Sequence, residues 1–137
     1  MGFTVERRIR FADVDPAGIV FYPRYFEMIN GTVEDWFDDG IGYGFDHMIR
    51  RDGIGVPLAH IDVDFTAPSE LDDRLEFDLV VDEVGRSSIK LTITASSRGE
   101  TRLVARPVLV WLDIAKHKPA SIPSDIKARM LEFRETA

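Results

Sequence analysis

Two aspartates with one residue between them, Asp13 and Asp15, stand in the stretch FADVDPAGIVFYPRY, residues 11–25, whose other members are mostly apolar. In an extended segment both side chains point the same way. Three chemistries fit that spacing. The commonest is structural: an aspartate before Pro16 accepts backbone N–H bonds and closes a turn. The second is a divalent-cation site of the kind used in phosphoryl transfer, which needs further carboxylates and a phosphate cradle. No glycine-rich phosphate loop with a lysine is present. The third takes in the whole stretch. A helix starting near Tyr22 presents unpaired N–H groups with partial positive charge, which can hold a developing oxyanion. Gly18 lets backbone approach a ligand closely. With Asp15 as nucleophile or as base for water, these groups suffice for attack on an activated acyl carbonyl. A thioester suits them because its leaving thiolate needs little acid help.

Other reactive side chains are sparse. There is no cysteine, which removes disulfides, thiolate nucleophiles and cysteine-based metal sites. The three histidines lack the spacing of a zinc site, and no G-x-S-x-G elbow supports a serine hydrolase. His60 lies on the more polar face of an expected strand, where it packs, faces solvent or touches an acyl pocket. His47 and His117 read as surface residues. Asp62, Asp64, Asp72 and Asp73 read as a solvated acidic face, and Arg50-Arg51 as surface charge.

The elements that must position these groups follow from periodicity. Val5, Ile9 and Phe11 suggest a first strand. From Tyr22, apolar residues recur at Tyr25, Phe26, Ile29, Val33, Trp36 and Phe37, a helical stripe. Pro23 suits its first turn and Asp39-Gly40 its stop. That stripe lines an aryl pocket or, more commonly, fills a core, and Phe26 and Trp36 are expected in the core in either case. A short helical piece spans Asp46 to Arg50. Four strand-like runs follow: 59–65, 75–82 and 89–96, all alternating, and 103–112, nearly all apolar and so expected to be central and covered on both faces. Arg98-Gly99-Glu100 fits a hairpin turn. Pro107 points to a bulge or an edge. Ser124 to Arg134 reads as a closing helix with Ser124 as N-cap. One long helix among strands implies an α+β fold, with an antiparallel sheet packed on the helix.

A chain of 137 residues fits one domain, residues 1–137. Hydrophobic residues at 45% and charged residues at 30% make an ordinary globular mixture. A net charge of −7 opposes binding to phosphate backbones, so nucleic acid is not an expected partner. No apolar run reaches the ~20 residues of a membrane helix. The N-terminus carries charge where a signal peptide needs an apolar core. A cytoplasmic location is the expectation.

DVDPAGIVFYPRYFE, residues 13–27, resembles the signature of hotdog-fold acyl-CoA thioesterases of the 4-hydroxybenzoyl-CoA thioesterase type. VPLAHIDVDFTAPSELDDRLEF, residues 56–77, resembles the second and third strands of that family. The likeness runs from Val5 to Pro119. It implies a hotdog fold: one long central helix wrapped by a five-stranded antiparallel sheet, with a short C-terminal helix. It implies hydrolysis of acyl-CoA without cofactor or metal, and tilts the acyl group towards aromatics. The family's catalytic aspartate falls on Asp15 and its carbonyl-polarising amide on the Tyr22 N–H, leaving Asp13 to support the loop. The resemblance places Arg86, Ser87, Ser88 and Lys90 near the CoA, a stretch that reads equally as a solvated turn. Gly18, Phe21, Tyr25 and His60 are candidate substrate contacts from their own chemistry, with core packing or solvent exposure the commoner reading of the last three. The resemblance also implies a homodimer joined edge to edge, two of which form a homotetramer. A non-catalytic acyl-CoA or acyl-carrier binding module is the alternative. A hotdog dehydratase would use a histidine that this loop lacks.

Overall fold

The computed structural model describes residues 2–135. Its strands are β1 (Phe3–Arg8), β2 (Ile54–Gly55), β3 (Leu58–Phe65), β4 (Arg74–Val84), β5 (Ser88–Ser97), β6 (Glu100–Val110), β7 (Leu112–Asp113) and β8 (Lys118–Pro119). The helices are α1 (Pro23–Asp35) and α2 (Ser124–Leu131). Five strands form one antiparallel sheet in the order β1-β4-β5-β6-β3, and β2, β7 and β8 form a small second one. The fold is the expected α+β hotdog, with α1 lying against the sheet.

Alternation decides which face of the sheet α1 covers. Leu75, Phe77, Leu79 and Val81 of β4, with Ile89, Leu91, Ile93 and Ala95 of β5, are buried on one face. They meet Tyr25, Met28, Ile29 and Val33 of α1. At ~1.5–3 kcal/mol per fully buried apolar side chain, this layer supplies a large share of the drive to fold. Arg98 and Gly99 both have positive φ, 53° and 76°, the two-residue type I′ turn that joins twisted strands.

Several expectations need correction. The first strand ends at Arg8; the chain then turns through a 3₁₀ segment, Phe11–Asp13, and leaves Phe11 84% exposed. The helical path runs past Asp39-Gly40 through a π-helical turn, Trp36–Ile41, and stops at Gly42, whose φ of 78° suits glycine. Trp36 is in the core, whereas Phe26 is 37% exposed because it borders a cavity. β6 is central, between β5 and β3, but only one of its faces is buried. Pro107 is therefore not on an edge, and the bulge falls on the neighbouring strand, between Leu58 and His60 of β3. α2 begins at Ser124 with Pro123 as its N-cap residue, makes no side-chain cap, and ends at Leu131. Asp73 is not part of a solvated face: it pairs with buried Arg102 at 2.8 Å.

Residues 43–52 fold over one end of the helix–sheet layer. Tyr43 stacks on Trp111 at 5.9 Å between ring centroids and donates its hydroxyl hydrogen bond to Asp52, which also pairs with Arg51. Burial and this bond push the Tyr43 hydroxyl up to about 12, and the Arg51 and Tyr43 bonds bring Asp52 down to about 2. Both shifts favour the native pair at neutral pH. The carboxylate contribution is present above the unfolded aspartate range and is lost as pH falls towards 2. The phenol contribution is complete below pH 10 and is lost as pH rises through about 12. Tyr43→Phe keeps the stack and loses the bond, so its Tm at pH 7 should fall by about 3 °C. The gap from wild type should narrow between pH 4 and pH 2 in thermal melts; a gap independent of pH would contradict the clasp.

Candidate active site

The stretch with the two aspartates is a tight hairpin. Asp15 N–H donates to Ile19 O and Phe21 N–H to Asp13 O, each at 2.9 Å, and Val14 bridges Val20. The tip is the Asp15-Pro16-Ala17-Gly18 turn, closed by Gly18 N–H to Asp15 O at 2.9 Å. Gly18 has a φ of 83°, and a Cβ there would meet nothing within 4 Å. The glycine is thus required for the turn's left-handed backbone, rather than for lack of space.

The two carboxylates have different work. Asp13 accepts the Arg10 N–H at 2.8 Å, holding the entry to the hairpin. Asp15 sits at the tip, half-buried. Its Oδ1 accepts the Ala17 N–H at 2.9 Å, and its Oδ2 accepts nothing from the described residues. One oxygen is fixed by the turn and the other is left without a protein partner among the described residues. No group of three or more histidine, aspartate or glutamate residues arranged to hold a metal ion occurs among the described residues.

Tyr22, the N-cap residue of α1, follows the hairpin directly and receives no side-chain cap. Arg24 N–H donates to Phe21 O and Tyr25 N–H to Tyr22 O, while Pro23 has no N–H. That leaves the Tyr22 N–H without a backbone partner in a residue 63% exposed. It is one of the unpaired donors that every helix start presents, in the field of the helix dipole.

From the first turn of α1 an apolar cavity of about 220 Å³ runs between the helix and β3. Phe26, Ile29 and Val33 line it from α1, Met48 from the covering segment, and Leu58 and Ile61 from β3. Asn30 is the one polar side chain among its lining residues. Phe21 and Tyr25 do not line this cavity. Phe21 is half-exposed beside Tyr22, and Tyr25 is buried against Phe65 at 5.5 Å. His60 pairs with Val108 and shares the outer sheet face with Asp62 and Asp64, away from the cavity that Ile61 faces. Sequence periodicity around Leu58 concealed the cavity wall, because the β3 bulge there breaks the alternation.

Arg86, Ser87, Ser88 and Lys90 lie at the turn between β4 and β5. There Ser87 O accepts Trp111 N–H and Arg86 O accepts Ile122 N–H, and Lys90 pairs with Glu83 at 3.5 Å. The Asp15 hairpin bonds to residues 69–71, just before β4. The two sites are therefore at opposite ends of an 11-residue strand, about 36 Å long. One chain does not bring them together.

The sequence profile of the Thioesterase-like superfamily matches residues 9–130, and the chain belongs to that family. It is an acyl-CoA thioester hydrolase by class. It is 27% identical over 123 residues to a 1,4-dihydroxy-2-naphthoyl-CoA hydrolase from Synechocystis sp., a match covering 88% of each chain. It is 26% identical over 130 residues to a 4-hydroxybenzoyl-CoA thioesterase from Pseudomonas sp., covering 89% of this chain and 92% of the other. The crystal structure of a 1,4-dihydroxy-2-naphthoyl-CoA thioesterase from Synechocystis superposes with a TM-score of 0.85 over 95% of this chain and 96% of that one. At 23% identity it speaks for the fold. Among the described residues no helix is long and apolar enough to cross a membrane.

Proposed function

We propose that the chain hydrolyses aryl-CoA thioesters, with Asp15 as nucleophile or general base and the Tyr22 N–H polarising the thioester carbonyl. The observation that carries this reading is the hairpin that delivers a carboxylate with one open oxygen and then a helix start with a free N–H. As the tetrahedral intermediate forms, the carbonyl oxygen gains charge that the N–H and the helix dipole stabilise. The thiolate of CoA then leaves without a dedicated acid.

The cavity supports an aromatic acyl group. Its volume exceeds the roughly 150 Å³ that accommodates a benzene ring, and its walls are apolar apart from Asn30, which suits a ring bearing one hydroxyl. The names of the two relatives point the same way.

The catalytic unit in this reading is a dimer. β3 is an edge strand, and Leu58 and Phe65 at its ends are half-exposed. Two β3 edges paired about a two-fold axis run antiparallel. That sets the Leu58 end of one copy beside the Phe65 end of the other, and brings the Arg86–Lys90 turn of the second copy to the end where Asp15 lies. The CoA would bind there, across the two copies, and pairs of dimers would give a tetramer. Sedimentation should return twice the chain's mass or four times it; a monomer would remove this arrangement.

The deciding experiment is a panel of CoA thioesters with a thiol-trapping dye, with benzoyl, 4-hydroxybenzoyl, hexanoyl and acetyl esters. The expected order has the aryl esters at least tenfold ahead in kcat/KM. Thiol release fastest from hexanoyl-CoA would contradict the aryl assignment. Tight binding with no release from any ester would make the chain a binding module.

A further inference from the structure

A buried arginine stands behind the Asp15 hairpin without touching it. Arg102, on β6, is 7% exposed. Its Nη1 donates to Pro68 O at 3.1 Å, to Ser69 Oγ at 3.2 Å and to Asp73 Oδ2 at 2.8 Å. Its Nε lies 2.9 Å from Glu100 Oε1 as an ion pair, at an angle that makes no hydrogen bond. The Arg102 carbonyl accepts the N–H groups of Thr66 and Ala67. The segment 66–73 is therefore held by one residue through both backbone and side chain.

That segment in turn holds the hairpin. Val20 N–H donates to Ser69 O at 2.9 Å, Leu71 N–H donates to Gly18 O at 3.2 Å, and Ile19 bridges Glu70. Both bonds land within five residues of Asp15, and one is on the turn that contains it. Asp73 Oδ2 also accepts the Glu70 N–H at 2.9 Å. That bond and the Arg102 guanidinium hold the Asp73 carboxyl below the usual carboxylate range, so it stays ionised as a partner.

A buried ion pair contributes little net stability, because the desolvation of both charges offsets their attraction. It does fix geometry, since a planar guanidinium meets its acceptors in set directions. We propose that Arg102 is a positioning residue for the thioesterase reaction, seating segment 66–73 so that the Pro16–Gly18 turn holds Asp15 in register with the Tyr22 N–H. This inference rests on the reading of Asp15 and Tyr22 given above.

The test compares Arg102→Met, Arg102→Lys and the control Leu91→Ala in the full chain. Leu91 is buried on β5 and bonds neither the hairpin nor segment 66–73. Two readouts are taken well below each variant's Tm. The first is amide hydrogen exchange of Val20 and Leu71, which needs no turnover. Arg102→Met should speed both at least tenfold, Arg102→Lys by less, and Leu91→Ala not at all. The second is the kinetics of 4-hydroxybenzoyl-CoA hydrolysis. Arg102→Met should lower kcat ten- to a hundredfold with KM within about threefold, Arg102→Lys should recover part of it, and Leu91→Ala should keep wild-type kcat despite a lower Tm. Unchanged exchange at Val20 and Leu71 overturns the proposal whatever the kinetics. So does a kcat for Arg102→Met that falls no further than in the control. A wild type that cleaves no thioester, with exchange responding as expected, overturns the active-site reading and leaves the mechanical role of Arg102 standing.

Discussion

Asp15→Asn is expected to reduce kcat for aryl-CoA hydrolysis by about 10³-fold, within the range general acid–base groups supply, and to leave the fold intact. The amide can still accept the Ala17 N–H through its oxygen, as Oδ1 does now. The hairpin's own bonds come from backbone, at Asp15 N–H to Ile19 O and Gly18 N–H to Asp15 O. The substitution thus removes the charge and the open carboxylate oxygen and little else. Thermal melting should stay within about 2 °C of wild type. Turnover at the wild-type rate on every ester that wild type cleaves would end the assignment. Asp13→Asn provides the contrast: Asp13 holds the Arg10 N–H, so its effect should fall on stability more than on kcat. Single turnover in heavy-oxygen water separates the two routes open to Asp15. An anhydride intermediate leaves label in the Asp15 carboxylate, and direct attack by water leaves it only in the released acid.

The second large effect is expected at Ile61. It is half-buried, lines the cavity from β3 and faces Pro107 across the ladder. Ile61→Trp should fill much of the space that an aromatic acyl group would occupy. The kcat/KM for 4-hydroxybenzoyl-CoA should fall about 100-fold, the scale on which pocket volume discriminates. Acetyl-CoA, which needs none of that depth, should be hydrolysed at its wild-type rate. Overpacking costs about 1–3 kcal/mol in a closed core and less here, because the cavity receives the ring. Equal loss on both esters would show that the cavity is not where the acyl group sits.

Legibility varied from element to element. The α1 stripe was plain because its apolar residues recur at helical spacing and Pro23 marks its start. β4 and β5 were plain because alternation is strict where one face is buried and the other is wet. The Asp15 turn was plain because proline, alanine and glycine in that order specify backbone directly. Phe26 reads as core because it shares the stripe with core residues, and only the position of β3 shows that a cavity opens beside it. Arg102 carried no signal at all. An arginine near a hairpin turn reads as surface, and its partners lie 29 to 34 residues away in sequence.

The sequence by itself determined the long helix and the long strands, the tight turn that presents Asp15 and the helix start that presents Tyr22, because these depend on dihedral preferences and periodicities within about a dozen residues. The tertiary structure alone decided that β1 pairs with β4, that the bulge falls in β3 instead of at Pro107, and that the Arg86–Lys90 turn is far from Asp15 within one chain. It also decided that a buried arginine stands behind the Asp15 hairpin. Those outcomes depend on which distant backbones share hydrogen bonds and which faces exclude water together. No local stretch of residues contains that information.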